Sequence, residues 1–133
     1  MWLVSRVTTA IVVAGPLRAV TALALMLAGT ALVVASRRAL DRAGTTWHPT
    51  DPRRSTSLLT TGVYRFSRNP TYVGMELVLL SWAAVLASPL AALLSASFVA
   101  YIDRFQVRPE ERILVALFGD GYRGYARTIR RWV

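Results

Sequence analysis

The sequence predicts an all-α fold: a polytopic membrane bundle of about four helices followed by an amphipathic tail. Three observations predict it. Hydrophobic residues make up 54% of the 133, and mean hydropathy is +0.42, too apolar for a soluble domain of this length. Charged residues are only 17%, and they gather at the ends of apolar runs. Two of those runs, 19–36 and 71–102, are long enough to engage a bilayer core. The length suits one domain over 1–133, divided into membrane helices (1–36), a polar loop (37–70), a helical hairpin (71–102) and a tail (103–133).

Each element has its own justification. Residues 7–17 are apolar but short and end at Gly15-Pro16, so they read as a partial or tilted span. Residues 19–36 form a continuous run that nearly crosses a bilayer core of about 30 Å. Residues 37–70 are polar, rich in arginine and punctuated by proline. Residues 71–102 are apolar except for Glu76, and as one helix would reach about 48 Å. Ser88-Pro89 lies in the middle, and proline disfavours helix in the residue before it. The run therefore reads as two arms, 71–87 and 89–102, with both open ends on one side. In the tail, Ile113, Leu114, Leu117 and Phe118 share a helical face. After Gly119-Asp120-Gly121 a second face carries Tyr122, Tyr125, Ile129 and Trp132, opposite Arg123, Arg127, Arg130 and Arg131. Such a tail either lies in the membrane interface or packs on the bundle.

The net charge is +9 and every basic residue except His48 is an arginine. Arginines flanking apolar runs point to anionic headgroups and topology rather than to nucleic acid. The positive-inside bias places loop and tail in the cytoplasm, in a protein of the cytoplasmic membrane. The N-terminus lacks a basic start followed by a small-residue cleavage site and reads as retained. The absence of cysteine excludes disulfides, thiolate metal sites and cysteine nucleophiles. His48 has no partners at ligand spacing, so no metal site is expected. The run Gly119 to Gly124 spells G-x-G-x-x-G, but a helical pattern precedes it and the chain ends at Val133. A dinucleotide fingerprint needs a strand before it and an acid about 20 residues later, so these glycines read as helix punctuation.

Three polar features remain. Glu76 sits inside an apolar segment, where an ionisable group marks a function or a buried partner such as Arg65 or Arg68. Arg104, Arg108 and Glu111 have the spacing of a helical charge ladder or of a pocket wall. Tyr64 and Tyr72 flank Arg68-Asn69-Pro70, as interfacial anchors or as faces for a cation or a ring.

Taken together, "TTGVYRFSRNPTYVG", an apolar hairpin and "RPEERILVALFGDGYRGYARTIRRWV" resemble the isoprenylcysteine carboxyl methyltransferase family. That family belongs to a wider group of small membrane methyltransferases that includes phospholipid N-methyltransferases. The resemblance covers residues 56–133, while the N-terminal part matches only as membrane helix. It implies an S-adenosylmethionine site facing the cytoplasm, built from the loop, the open end of the hairpin and the tail. The implied cofactor contacts are Thr56, Ser57, Leu58, Leu59, Tyr64, Arg68, Asn69, Pro70, Thr71, Tyr72 and Glu110. Within that frame Glu110 suits the ammonium, tyrosine faces suit adenine or the sulfonium, and Arg68 suits the carboxylate. The family's usual histidine before proline is Asn69 here, and its substrate-binding arginine falls on Gln106, flanked by Arg104 and Arg108. The residues expected to act on the acceptor are Arg108 for an anionic group and Glu76 or Glu111 for removing a proton from an amine. The acceptor is expected to be lipophilic, with membrane lipids as surroundings; its identity and the oligomeric state stay open. Two other readings stand beside this one: an NADPH-dependent membrane reductase of the sterol-reductase type, and a non-catalytic membrane accessory protein.

Overall fold

The computed structural model describes residues 15–45 and 57–133, and they are all helix and loop. Helix α1 spans Gly15–Arg42. A 3-10 turn, Gly62–Arg65, leads into α2, Pro70–Leu86, and the hairpin returns as α3, Pro89–Ile102. A π turn, Asp103–Val107, joins α3 to α4, Arg108–Phe118, and α5, Asp120–Thr128, closes the fold.

Gly15-Pro16, where the sequence marks a boundary, open α1, and Arg18 lies in its first turn. Proline is tolerated there because its missing N–H would have no intrahelical partner. The expected segment 7–17 lies mostly outside the described residues, as do His48 and Thr56. At its other end α1 extends through Arg42, into what reads as polar loop. At 28 residues it is about 42 Å long, more than one bilayer core.

The hairpin forms where the proline puts it. Pro70 and Pro89 each occupy a first helical turn, and Ser88 Oγ caps α3 by accepting from Ala91 N at 3.2 Å. Ala87 closes α2 in the left-handed region at φ 49°. The tail differs from the expectation of a clean exit at Asp103. The π turn lets the chain continue, so Pro89–Phe118 is a 30-residue helical rod. The second amphipathic helix is shorter than its pattern: Ile129 is already extended, and Trp132 lies beyond the helix.

The core is a seam of small residues. Ala22, Gly29 and Ser36 are the buried positions of α1, seven residues apart, and they face Gly74 and Ser81 of α2. A Cβ on Gly29 would meet the Gly74 carbonyl oxygen at 2.6 Å, and one on Gly74 would meet the Gly29 carbonyl at 2.7 Å. Ser81 Oγ donates to the Ala22 carbonyl at 2.7 Å, which fixes α1 and α2 as antiparallel neighbours. Large apolar side chains point the other way: Leu17, Leu23 and Leu27 on α1, Trp82 and Val85 on α2, and Leu90, Leu93 and Leu94 on α3 are exposed. Small residues inside and leucines outside is the arrangement of helices packed in lipid. The chain is a membrane protein whose α1 and α3–α4 rods are long and apolar enough to cross. The antiparallel order brings the end of α1, the start of α2 and the end of α3 to one end of the bundle.

Candidate functional site

At that end the chain makes a sequence of polar steps. Pro70 starts α2, so the preceding Arg68 and Asn69 are held outside the helix. The C-terminal residues clamp them there. Arg68 N donates to the Arg130 carbonyl at 3.0 Å, and Asn69 Nδ2 donates to the Arg131 carbonyl at 3.0 Å. Ser67 Oγ accepts from Asn69 N at 3.1 Å and donates to the Arg131 carbonyl at 3.3 Å. The Asn69 Nδ2 is thereby spent on the tail, and the side chain makes no cap for α2.

Behind the clamp lies a cavity of about 100 Å³. Ser57, Leu58, Leu59, Tyr64, Arg68, Asn69, Pro70, Thr71, Tyr72 and Glu110 all line it. These are the expected cofactor contacts with Thr56 set aside, gathered from the loop, α2 and α4. Leu40 near the end of α1, Thr45 just beyond it, and Leu114, Tyr122 and Tyr125 from the tail complete the wall. The sequence reading did not name these five as site residues. The two tyrosines are signalled only as part of the amphipathic face of the tail. Leu40 and Thr45 have no local signal, because only the packing of α1 on α2 brings them in.

Glu110 is the buried charge of the cavity, at 9% exposure. Its Oε1 accepts from Tyr72 Oη at 3.0 Å and from Gln106 Nε2 at 2.7 Å. Gln106 therefore orients the carboxylate, at the position where the family pattern places an arginine. Tyr125 Oη donates to the Tyr64 carbonyl at 2.6 Å and locks α5 to the 3-10 turn. Burial pushes the Tyr64 phenol up to about 12, against the opposing pull of the Thr71 hydroxyl. Burial, with Glu111 nearby, pushes Tyr122 up to about 12 as well, and Tyr125 is raised for the same first reason. The cavity thus presents neutral phenols at ordinary pH.

The three residues expected to act on the acceptor are placed elsewhere. Glu111 points away from the cavity into an ion-pair chain. Arg68 Nη1 stands 3.0 Å from its Oε1, and Arg131 grips it with Nε at 3.2 Å and Nη2 at 2.7 Å. Arg131 also reaches Asp103 Oδ1 at 3.2 Å, and Arg108 donates to Asp103 Oδ2 at 2.7 Å. The helical ladder expected between Arg108 and Glu111 is not the one formed. The π turn inserts a residue, and Arg108 pairs five positions back with Asp103. Glu76 faces α3, where it accepts a hydrogen bond from Ser95 Oγ, and pairs with neither Arg65 nor Arg68. It lies inside the hairpin, removed from the arginines at the bundle end. Its Oε2 is buried with no hydrogen-bond partner among the described residues, as is Arg68 Nε.

Two similarities bear on this arrangement. An uncharacterised protein of Haemophilus influenzae is 40% identical over 62 residues, 47% of this chain and 98% of that protein. Residues 17–121 match the phospholipid methyltransferase family, a family of methyltransferases. That span begins in the first turn of α1, so the helix that read as generic membrane segment is part of the shared frame. It takes in the Arg-Asn-Pro step and Glu110, which line the cavity, and the hairpin between them. On that match over most of its length, the chain belongs to the phospholipid methyltransferase family.

Proposed function

We propose that the protein is an S-adenosylmethionine-dependent methyltransferase that modifies a lipophilic acceptor at the membrane interface. The observation that carries this reading is the pairing of opposite charges on one aromatic-walled cavity. Glu110 is a buried carboxylate, and Arg68 has a buried N–H with no partner. A ligand bearing both a cationic and an anionic group could add to the hydrogen bonds that Glu110 already accepts and supply the partner that Arg68 Nε lacks, and the donor set fits S-adenosylmethionine on that count. Glu110 would hold the ammonium through a charge-assisted bond, Arg68 Nε the carboxylate, and the tyrosine faces the sulfonium or the adenine. At about 100 Å³ the cavity is smaller than the roughly 300 Å³ at which ligand pockets begin, so loading requires a wall to move. Ser57, Leu58 and Leu59 are the loop-borne part of that wall.

When bound, the cofactor supplies a methyl group on an activated sulfur leaving group. The protein's share is then alignment and exclusion of water rather than activation. Gln106 and Tyr72 keep the Glu110 carboxylate in one orientation, and the Arg130–Arg131 clamp fixes Arg68 and Asn69. Glu111 is bound by two arginines, which suits it to positioning Arg68 better than to taking a proton. Arg108 is held by Asp103, is half-exposed and does not line the cavity, which argues against a direct role on the acceptor. Glu76 can serve an amine acceptor only if that acceptor enters between α2 and α3. Among the described arginines, Arg18 sits at the far end of α1 and the rest crowd the cavity end. The positive-inside rule then orients the site toward the cytoplasm of the cytoplasmic membrane.

The test is transfer of tritium from methyl-labelled S-adenosylmethionine to a lipid extract by the purified protein in bilayers. Label in the lipid phase, lost in Glu110→Ala, is the expected result. Label confined to water with a folded protein would overturn the reading.

A further inference from the structure

Beside the cavity, and sharing Arg68 and Tyr122 with it, runs an open groove of about 480 Å³. Arginines dominate its lining: Arg68, Arg108, Arg112, Arg123 and Arg131, against the one carboxylate of Glu111. Asp103 and Asp120 offset part of this charge through Arg108, Arg131 and Arg123. Arg112 has no ion pair among the described residues. The groove therefore keeps an excess of positive charge. Guanidinium forks at several angles around one opening fit the tetrahedral oxygens of a phosphate group. The surroundings say where that phosphate comes from. Tyr101 and Phe105 meet with ring centroids 4.9 Å apart one turn before the groove, and both are exposed where α3 passes into the π turn. An aromatic pair at that level marks the headgroup region of a bilayer.

We propose that this groove is a binding site for the phosphate headgroup of an acidic phospholipid, distinct from the methyl-transfer cavity. A net anionic lipid is favoured over a zwitterionic one because no acidic side chain beyond Glu111 lines the groove to receive a headgroup amine. Occupancy ties the tail helices α4 and α5 to the bilayer surface beside the cavity entrance. The site does not depend on the proposed methyl-transfer reaction.

The experiment is native mass spectrometry of the full chain released from nanodiscs containing phosphatidylglycerol and phosphatidylcholine in equal amounts. The wild type is expected to retain phosphatidylglycerol selectively. Arg112→Gln combined with Arg123→Gln is expected to lower that retention about twenty-five-fold, at roughly fivefold per arginine. Arg112→Lys with Arg123→Lys is expected to restore most of it. Binding of S-adenosylhomocysteine, unchanged in the Gln pair, serves as the control for fold and separates this site from the cavity; if the protein binds no S-adenosylhomocysteine at all, an unchanged unfolding temperature takes its place. Equal retention of the two lipids, or full retention by the Gln pair, would overturn the proposal. Displacement of the lipid by millimolar inorganic phosphate would overturn the assignment to a lipid and leave a free-anion site.

Discussion

The α1–α2 seam and the polar end of the bundle are held by opposite means. In the seam, Gly29 and Gly74 let two backbones touch, and Ser81 donates a side-chain hydrogen bond across it to the Ala22 carbonyl. Its demand is steric: almost any small residue satisfies the chemistry, and almost no added atom fits. At the polar end the clamp, the Glu111 ion-pair chain and the Glu110 cluster are chemically demanding and sterically loose. Glu111 and Arg131 keep side-chain exposures of 14% and 32%, so solvent can adjust around them. The first region sets whether there is a bundle, and the second sets what its end can bind.

That contrast can be broken from either side. The largest effect is expected in the seam. Gly29→Val places atoms against a carbonyl and a helix that cannot yield, and should destabilise by about 3 kcal/mol, the upper end for overpacking. Thermal unfolding in detergent followed by circular dichroism reads it, and a wild-type midpoint would refute the close-approach account. Next, Glu111→Ala leaves Arg68 and Arg131 facing each other without a counter-charge. A loss of about 2 kcal/mol is expected, below the range for fully buried pairs because both groups are partly wet. Limited proteolysis should show the C-terminal strap cut before the hairpin; uncut tail would mean the clamp holds without the ion pairs.

Asn69 sharpens the comparison. Asn69→Ala removes one donor to the Arg131 carbonyl and should cost about 1 kcal/mol. Asn69→His should recover most of that, since a neutral imidazole N–H can donate in the same place. Equal midpoints for the alanine and histidine variants would show that the side-chain bond to the tail is unimportant. A further effect, confined to high pH, is expected from the phenols. Tyr64 and Tyr122 have folded-state values near 12 against 10 when unfolded, so the folded state holds more protons between those limits. Their contribution is complete below pH 10 and is lost as pH rises toward 12. A denaturation midpoint that stays flat from pH 8 to 10 and then falls is expected, and Tyr64→Phe should soften the fall.

Much of this frame was legible in the chain. Ser88-Pro89 marks the hairpin within a residue, because a proline acts locally on the backbone. The cofactor contacts expected from the Arg-Asn-Pro and Glu-Glu motifs converge on one cavity, because the motifs carry their spacing with them. What was not legible was long-range or register-dependent. The exchange of Arg108 from Glu111 to Asp103 follows from a π turn that no composition announces. Gln106 reads as the loss of an arginine, but in the fold it orients Glu110. The seam of Ala22, Gly29 and Ser36 is visible as small residues, yet its partner helix is visible only once α1 and α2 pack. Glu76 reads as the partner of an arginine; the hairpin gives it Ser95 instead.

The central claim is that the Glu110 cavity holds S-adenosylmethionine. Calorimetric titration of the detergent-purified chain with S-adenosylmethionine and S-adenosylhomocysteine tests it most directly, with Glu110→Ala and Tyr64→Ala alongside. The account predicts saturable binding of both ligands, weakened about ten- to a hundred-fold in Glu110→Ala by loss of a charge-assisted bond. Absence of binding to a wild-type protein that unfolds cooperatively, or undiminished binding to Glu110→Ala, would contradict it.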